Sequence, residues 1–210
     1  MRKPLVLPRG EAPAVISGAR ISSRRHVRLL SVAAALLAAS VMMLTGCGSA
    51  PSSGPPKLSP PPGVTLPIPA RVAVQVDPSM PNTQTVEFRG ETWQYADAEL
   101  MEQAAMKVFR EMFTEVGTPQ SVKAPAITIR LTGYSSVNPI MSEYYATPTA
   151  TVFAGGDTYA QPLGTFSGNG TASQPNFSRA GVASAYEGGF RQIGNRMLAD
   201  PSLLARLRGK

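Results

Sequence analysis

An uncharged run of apolar and small residues constrains this chain most, because it leads directly to the only cysteine. Residues 29–45 carry no charge and are rich in Leu, Ala and Val, and Cys47 follows two positions later. A membrane-spanning helix needs about 20 predominantly apolar residues, and this run is shorter. A basic segment, a short apolar segment and small residues in that order are typical of an export signal that is cut away. We therefore predict that the front segment, up to the neighbourhood of Cys47, is an export signal that is absent from the mature chain.

The positive charge of the chain is concentrated in that front segment. The whole sequence has a net charge of +7, yet seven of its 20 Lys and Arg residues and only one of its 13 acids precede Cys47. The rest of the chain is close to neutral and has no stripe of cations interleaved with aromatic residues. Neutralising the phosphates of a nucleic acid requires clustered cations, so we predict no nucleic-acid partner.

The residues Leu44-Thr45-Gly46-Cys47 resemble the lipobox of bacterial lipoproteins. The resemblance implies cleavage between Gly46 and Cys47 and transfer of a diacylglyceryl group to the Cys47 thiol. A single acyl chain holds a protein only marginally, whereas two or three hold it firmly, so membrane lipid is the first expected partner. Gly48 follows instead of Asp, which in lipoproteins of Gram-negative bacteria implies release to the outer membrane. The resemblance therefore implies a lipid-anchored protein of the outer membrane that faces the periplasm.

The export route stays open at this point. The segment Ser23-Arg24-Arg25-His26-Val27 resembles a twin-arginine signal, but Arg28 stands where that family usually has an apolar residue. An ordinary positively charged segment of the general secretory route is the alternative. The length of this segment also leaves open a translation start downstream of Met1.

A tether is predicted to separate the anchor from the folded domain. Residues 48–70 are rich in Pro, Ser and Gly and show neither helical nor strand periodicity. Such a composition favours a semi-extended linker of about 3 Å per residue; a proline-rich ligand for another domain is the alternative. We expect the lipidated cysteine and the tether to occupy residues 47–70 and the folded domain to occupy residues 71–210.

The folded part reads as strand, strand, helix, three strands and helix. Alternating apolar residues predict strands at residues 71–76, 85–93 and 126–134, the second with a bulge at Gly90; two more are predicted at 142–154 and 158–172. Helical periodicity predicts helices at residues 97–116 and 178–199. Short connections favour antiparallel pairing, so we predict an α+β, two-layer sandwich. It would have a mostly antiparallel, four- to five-stranded sheet with both helices on one face.

Two features of the helices bear on their packing. The first helix carries a wide apolar stripe that includes Leu100, Val108 and Phe109; a core face is favoured over a partner-binding face. The second helix is rich in Gly, which weakens a helix but permits close approach to a sheet. The order of elements, together with the lipobox, resembles small periplasmic lipoproteins of the YajG type, and loosely the amino-terminal domain of TolB. No functional residue follows from this resemblance.

The mature chain is expected to lack the usual catalytic side chains. Its only histidine, His26, precedes the cleavage point, and the Cys47 thiol would be acylated. This excludes Ser-His-Asp and Cys-His catalysis and zinc sites built from His and Cys. Glu99 and Glu102 share one face of the first helix, where a solvated face is favoured over a catalytic pair. We predict no catalytic residue, no cofactor and no metal.

Two adjacent tyrosines are the candidate contact with a partner. Neighbouring residues of a strand point to opposite faces, so one of Tyr144 and Tyr145 is expected to be exposed. The leading hypothesis is a non-enzymatic, lipid-anchored envelope protein that binds another envelope protein. One alternative is an accessory lipoprotein of a lipid or solute transport system, which predicts an apolar groove between sheet and helices. The other is a carboxylate-based hydrolase of wall polymer, which predicts two acids in a cleft.

Overall fold

The computed structural model describes residues 55–208, which form ten strands and three helices. The predicted signal segment, Gly46 and Cys47 lie outside this range. Helices and strands have the following bounds: β1 Ile68–Val76, β2 Gln84–Phe88, β3 Glu91–Tyr95, α1 Asp97–Met112, β4 Phe113–Gly117, β5 Ile127–Thr132, β6 Ser135–Asn138, β7 Glu143–Ala146, β8 Thr149–Ala154, β9 Gly164–Ser167, β10 Gly170–Ser173, α2 Arg179–Ala199 and α3 Pro201–Leu207. None of these three helices is long and apolar enough to cross a bilayer.

The main sheet has five strands in the order β4-β1-β5-β8-β9. The predicted α+β class and a five-stranded sheet are confirmed, but the prediction of mostly antiparallel pairing is wrong in part. Strand β1 lies between β4 and β5 and runs parallel to both, whereas β5, β8 and β9 pair antiparallel. Parallel neighbours need a crossover connection, and α1 lies in the connection between β1 and β4.

The first helix is shorter than its periodicity predicts. It ends at Met112, and Phe113 already has extended backbone angles (φ −131°, ψ 150°) as the first residue of β4. Phe113 pairs with Ile68 and Val116 pairs with Val72 in the parallel ladder with β1. The apolar residues at the end of the stripe are thus used by a strand, because the hydrogen bonds of the ladder outweigh a weak helical preference.

A second, three-stranded sheet continues the main one past a sharp bend. Its order is β10-β7-β6, and these strands extend β9, β8 and β5 beyond Gly168, Pro148 and Gly133. Thr147 N donates to Tyr134 O at 2.9 Å, and Gly168 N donates to Pro148 O at 3.0 Å, so pairing persists across the bend. The two long strands predicted at residues 142–154 and 158–172 are therefore each split between two sheets.

Glycines on both sides let α2 lie directly against the bent strands. On the helix, where the composition predicted it, a Cβ atom at Gly189 would lie 2.6 Å from Pro148 Cγ. A Cβ atom at Gly170 would lie 1.7 Å from Ala185 O of α2, and one at Gly168 would lie 2.1 Å from Gly189 O. Ser178 caps the helix by accepting from Ala180 N. Backbone therefore packs on backbone here, and larger residues could not be accommodated.

The apolar stripe of α1 is buried in the core, as favoured from the sequence. Met101, Val108 and Phe109 have no exposed surface, and the Phe109 ring lies 5.8 Å from that of Phe190 on α2. The region predicted as one strand with a bulge is instead the hairpin of β2 and β3. Its turn falls at Arg89 and Gly90, whose φ angles of 53° and 80° suit a tight two-residue connection.

Candidate binding cleft

A cleft of about 210 Å³ lies between the β2–β3 hairpin and the turn that joins β6 to β7. Aromatic residues dominate it, and all eight lining residues are uncharged; they are Phe88, Trp93, Val137, Pro139, Ser142, Tyr144, Asn176 and Phe177. Small-molecule sites usually enclose about 300–1,000 Å³. This cleft is smaller, so its volume suits one large apolar side chain better than a whole solute.

Ring contacts hold together one side of the cleft, which we call the aromatic wall and which consists of Trp93, Tyr95 and Phe177. Phe177 precedes α2, and its ring lies 4.9 Å from that of Trp93 with an angle of 10° between the planes. It also lies 5.8 Å from the Tyr95 ring and 6.5 Å from the Tyr144 ring. Offset aromatic pairs of this kind contribute roughly 0.5–1.5 kcal/mol beyond their buried area. The loop before α2 is thereby fixed to the hairpin, and the cleft is preformed.

Tyr144, one of the two predicted contact residues, forms the floor of the cleft and is only 1% exposed. Its hydroxyl donates to Asn176 O at 2.6 Å and accepts from Ser178 N at 2.9 Å. Its ring fits beside α2 because Gly181 has no side chain: a Cβ atom there would lie 2.5 Å from the ring. Tyr144 therefore shapes the cleft and links it to the start of α2.

Tyr145, the other predicted contact residue, is 39% exposed and points away from Tyr144. Its hydroxyl donates to the Glu143 carboxylate. That hydrogen bond raises the pKa of Tyr145, since it is lost when the carboxylate faces a phenolate. The structure thus separates the two tyrosines, one at the floor of the cleft and one on the opposite face of β7.

Two exposed apolar residues form the rim of the cleft. Ile140 is 79% exposed and Met141 is 61% exposed, between the lining residues Pro139 and Ser142. Asn138 Oδ1 accepts from both of their backbone N–H groups, at 3.2 and 3.3 Å. The turn is therefore ordered by its own hydrogen bonds although its side chains are in water. These two side chains add exposed apolar surface next to the cleft.

A fully buried acid lies behind the aromatic wall. Asp97, the first residue of α1, accepts from Ser135 Oγ at 2.6 Å and from Tyr186 Oη at 2.9 Å, both on Oδ1. The hydroxyls of Ser135 and Tyr95 are 2.9 Å apart, which extends the network to the cleft wall. The second carboxylate oxygen of Asp97, Oδ2, has no hydrogen-bond partner among residues 55–208. Burial and the nearby carboxylate raise the pKa of Tyr186, so this tyrosine stays neutral and donates.

The sequence pointed to the tyrosines but not to the rest of the cleft. Trp93 is the single tryptophan of the chain, and this was the one signal that could have drawn attention to the hairpin. Phe177 is 84 positions further along, in a segment with no strand or helix pattern. Their stacking depends on the tertiary fold alone.

The other sequence candidates lie outside the cleft. Glu99 is exposed on α1, accepts from Gln103 Nε2 at 2.9 Å and lies 3.9 Å from Arg179, whereas Glu102 is half-buried. The hydrolase hypothesis requires two acids in a cleft, and this cleft is lined by none. Within residues 55–208 there is no group of three or more His, Cys, Asp or Glu residues able to hold a metal. The interface of sheet and helices, where the transport hypothesis expects a groove, is filled by fully buried residues such as Ile129 and Phe109.

Comparisons with known proteins give only distant structural similarities. No family model and no curated protein sequence matches the chain. A crystal structure of a protein from Xanthomonas campestris, of family DUF330, is 11% identical, with a TM-score of 0.42; the match covers 70% of this chain and 91% of that one. A protein of Caulobacter crescentus CB15 titled a "putative lipoprotein" is 9% identical with a TM-score of 0.32, over 65% of this chain and 92% of that one. Both scores are below 0.5, so neither similarity carries an argument about function.

Proposed function

We propose that this chain is a lipid-anchored envelope protein without catalytic activity, which binds another envelope protein through the cleft beside Trp93. The anchor rests on the lipobox at the end of the export signal, and Gly48 supports the outer membrane as its destination. The observation that carries the binding role is the position of Ile140 and Met141, exposed at the rim of an uncharged aromatic cleft.

A protein side chain is the occupant that fits this site best. Buried aromatic residues ringed by apolar contacts are the usual centre of a protein–protein interface. The lining offers burial, stacking and a few uncharged polar groups, among them the Ser142 hydroxyl and the Asn176 amide. A partner would therefore insert an apolar or aromatic residue and lay the surrounding chain over the rim.

The binding role is tested by photo-crosslinking in cells. A photoreactive amino acid replaces Ile140, and a matched probe replaces Tyr159, which is 98% exposed and distant in sequence from the cleft. We expect one defined protein adduct from position 140 and none from position 159. With that protein purified, Met141→Asp should weaken binding at least tenfold, because it places a charge at an apolar rim, whereas Tyr159→Asp should leave affinity unchanged.

The outcomes separate the hypotheses. Adducts with lipid alone from position 140 would support the transport hypothesis instead. Equal adducts from both positions, or undiminished binding by Met141→Asp, would contradict a role for the cleft.

The anchor is tested separately. Cys47→Ser should abolish acyl labelling and release the mature chain from membranes. A Cys47→Ser protein that stays with the membranes and keeps residues 1–46 would overturn the lipoprotein assignment.

A further inference from the structure

The segment of residues 56–63, which we call the strap, is attached to the domain although its composition predicts a free tether. Asn195 of α2 holds it by two hydrogen bonds: Ser59 N donates to Asn195 Oδ1 at 2.7 Å, and Asn195 Nδ2 donates to Lys57 O at 3.0 Å. Further along, Arg208 donates to Gly63 O at 3.1 Å. Backbone groups at three points of the strap are therefore satisfied by side chains of the domain.

Leu58 fixes the strap by packing as well. Its side chain is half-buried against the core. It occupies a space that exists because residue 194 is glycine: a Cβ atom there would lie 2.8 Å from Leu58 Cδ2 and 2.8 Å from Met112 Sδ. A leucine seated over a helical glycine and flanked by two hydrogen bonds is a specific attachment.

The first residue of the strap, Pro56, lies against the middle of α2. Pro56 Cδ lies 4.0 Å from the Cβ position of Gly188, whereas the cleft floor residue Tyr144 rests on Gly181. Seven residues of helix separate the two glycines, which is about 10 Å. The point where the chain leaves the domain and the floor of the cleft are therefore close neighbours along one helix.

From this geometry we infer that the strap keeps the cleft close to the membrane that holds Cys47, and that the cleft's partner is a protein of that same membrane. Nine residues from Cys47 to Pro56 span at most about 30 Å, whereas a free tether from Cys47 to Arg71 would span about 80 Å. A free tether would let the cleft reach about 50 Å further from that membrane, so the attached strap favours a partner held in the same membrane. This inference rests on the proposed anchor and the proposed binding role.

Attachment of the strap is tested by trypsin digestion of the lipidated mature chain on phosphatidylethanolamine–phosphatidylglycerol vesicles. Lys57 is the only trypsin site between Cys47 and Arg71, so cutting there releases the domain. Its carbonyl is bound by Asn195, and the bond to be cut leads into the packed Leu58. We expect slow release from the unaltered chain and at least tenfold faster release from Asn195→Ala.

A matched control comes from the same helix. Gln192 bonds Asn169 and not the strap, so Gln192→Ala should release the domain as slowly as the unaltered chain. Cutting at Arg71 within β1 reports global unfolding and should stay slow in both variants. Equal release rates from Asn195→Ala and the unaltered chain would contradict the attachment of the strap to the domain.

The partner's place is tested by lengthening the tether. Twenty Gly and Ser residues inserted between Gly54 and Pro55 leave the strap intact and extend the reach. Adducts from position 140 should fall, because a longer linker dilutes the cleft around a partner in the same membrane. Unchanged or increased adducts would overturn the inference, whereas the lack of any adduct at either length would contradict the binding role and leave the trypsin result standing.

Discussion

The helix–sheet interface and the cleft are built from the same bent strands, yet one is closed and the other is open. Where α2 crosses the bend, glycines bring backbone to within contact and the core residues are fully buried. Beyond β6 and β7, Ile140 and Met141 remain in water although Tyr144 beneath them is buried. The first region therefore supplies stability, and the second is the surface to which we assign the proposed partner.

The largest expected effect is at the glycine contact of the closed region. Gly170→Ala would place a methyl group 1.7 Å from Ala185 O, so α2 must move away from the strand. Because backbone cannot yield as a side chain can, we expect a loss of at least about 3 kcal/mol in the free energy of unfolding, measured by urea denaturation. Gly156→Ala is the control, since its nearest neighbour is 4.0 Å away; equal losses from both variants would contradict the close packing.

The buried acid between the two regions should give the next largest effect. Asp97→Ala removes the acceptor of the Ser135 and Tyr186 hydroxyls and leaves them unsatisfied in the interior. We expect a loss of about 2–4 kcal/mol in the free energy of unfolding by the same measurement. Glu99→Ala, in the same turn but exposed, should change it by less than about 0.5 kcal/mol. A stable Asp97→Ala protein would show that the network is not needed for folding.

The two tyrosines allow a direct comparison of the floor of the cleft with the outer surface. Tyr144→Phe removes two hydrogen bonds at the start of α2 and should cost about 1–2 kcal/mol. Tyr145→Phe removes one exposed bond to Glu143 and should be close to neutral. Thermal unfolding of both variants tests the pair; a larger loss from Tyr145→Phe would reverse our assignment of their roles.

The smallest expected change in stability concerns the cap of α3. This cap lies away from both regions, and its contribution depends on pH. Asp200 Oδ1 accepts from Ser202 Oγ at 2.7 Å and from the backbone N–H groups of Ser202 and Leu203 at 2.9 and 3.1 Å. These bonds, first that from the Ser202 hydroxyl, lower the pKa of Asp200. A lowered pKa in the folded state means that the stabilisation is present above about pH 4 and is lost as the pH falls below it.

Removal of this cap should therefore matter only when Asp200 is ionised. Asp200→Ala should lose about 1 kcal/mol in the free energy of unfolding at pH 7 and progressively less below about pH 4. Asp200→Asn keeps an acceptor and should show a weaker pH dependence. A difference between the alanine variant and the unaltered chain that stays constant down to pH 2 would contradict the ionic part of the cap.

Strand alternation and helix stripes predicted much of the core. Val72 and Val74 of β1, like Ile127 and Ile129 of β5, are buried where the pattern places them. The prediction from sequence failed where one pattern of apolar residues fits both a helix and a strand. Phe113 continues the helical stripe of α1 as well as it begins β4, and only pairing with β1 decides between them. Burial of Asp97 had no local signal, since an acid in the first turn of a helix is favourable in water too.

The sequence did not predict the breaks in the two long strands, because the residues at the bend lie on neighbouring strands of the sheet. Pro148, Gly168 and Gly133 are far apart in sequence, and only pairing aligns them in one row. The cleft escaped prediction for the same reason, since Trp93 of the hairpin and Phe177 meet only in the tertiary fold.

That row of bends has a consequence for how the molecule opens. Three strand segments of the chain cross it, so we expect loss of pairing in one sheet to disturb the other. We expect amide protons of β7 and those of β8 to exchange with solvent in one cooperative event, although β7 carries the exposed Tyr145. The cleft, although its rim residues are exposed, would thus share the opening free energy of the interior.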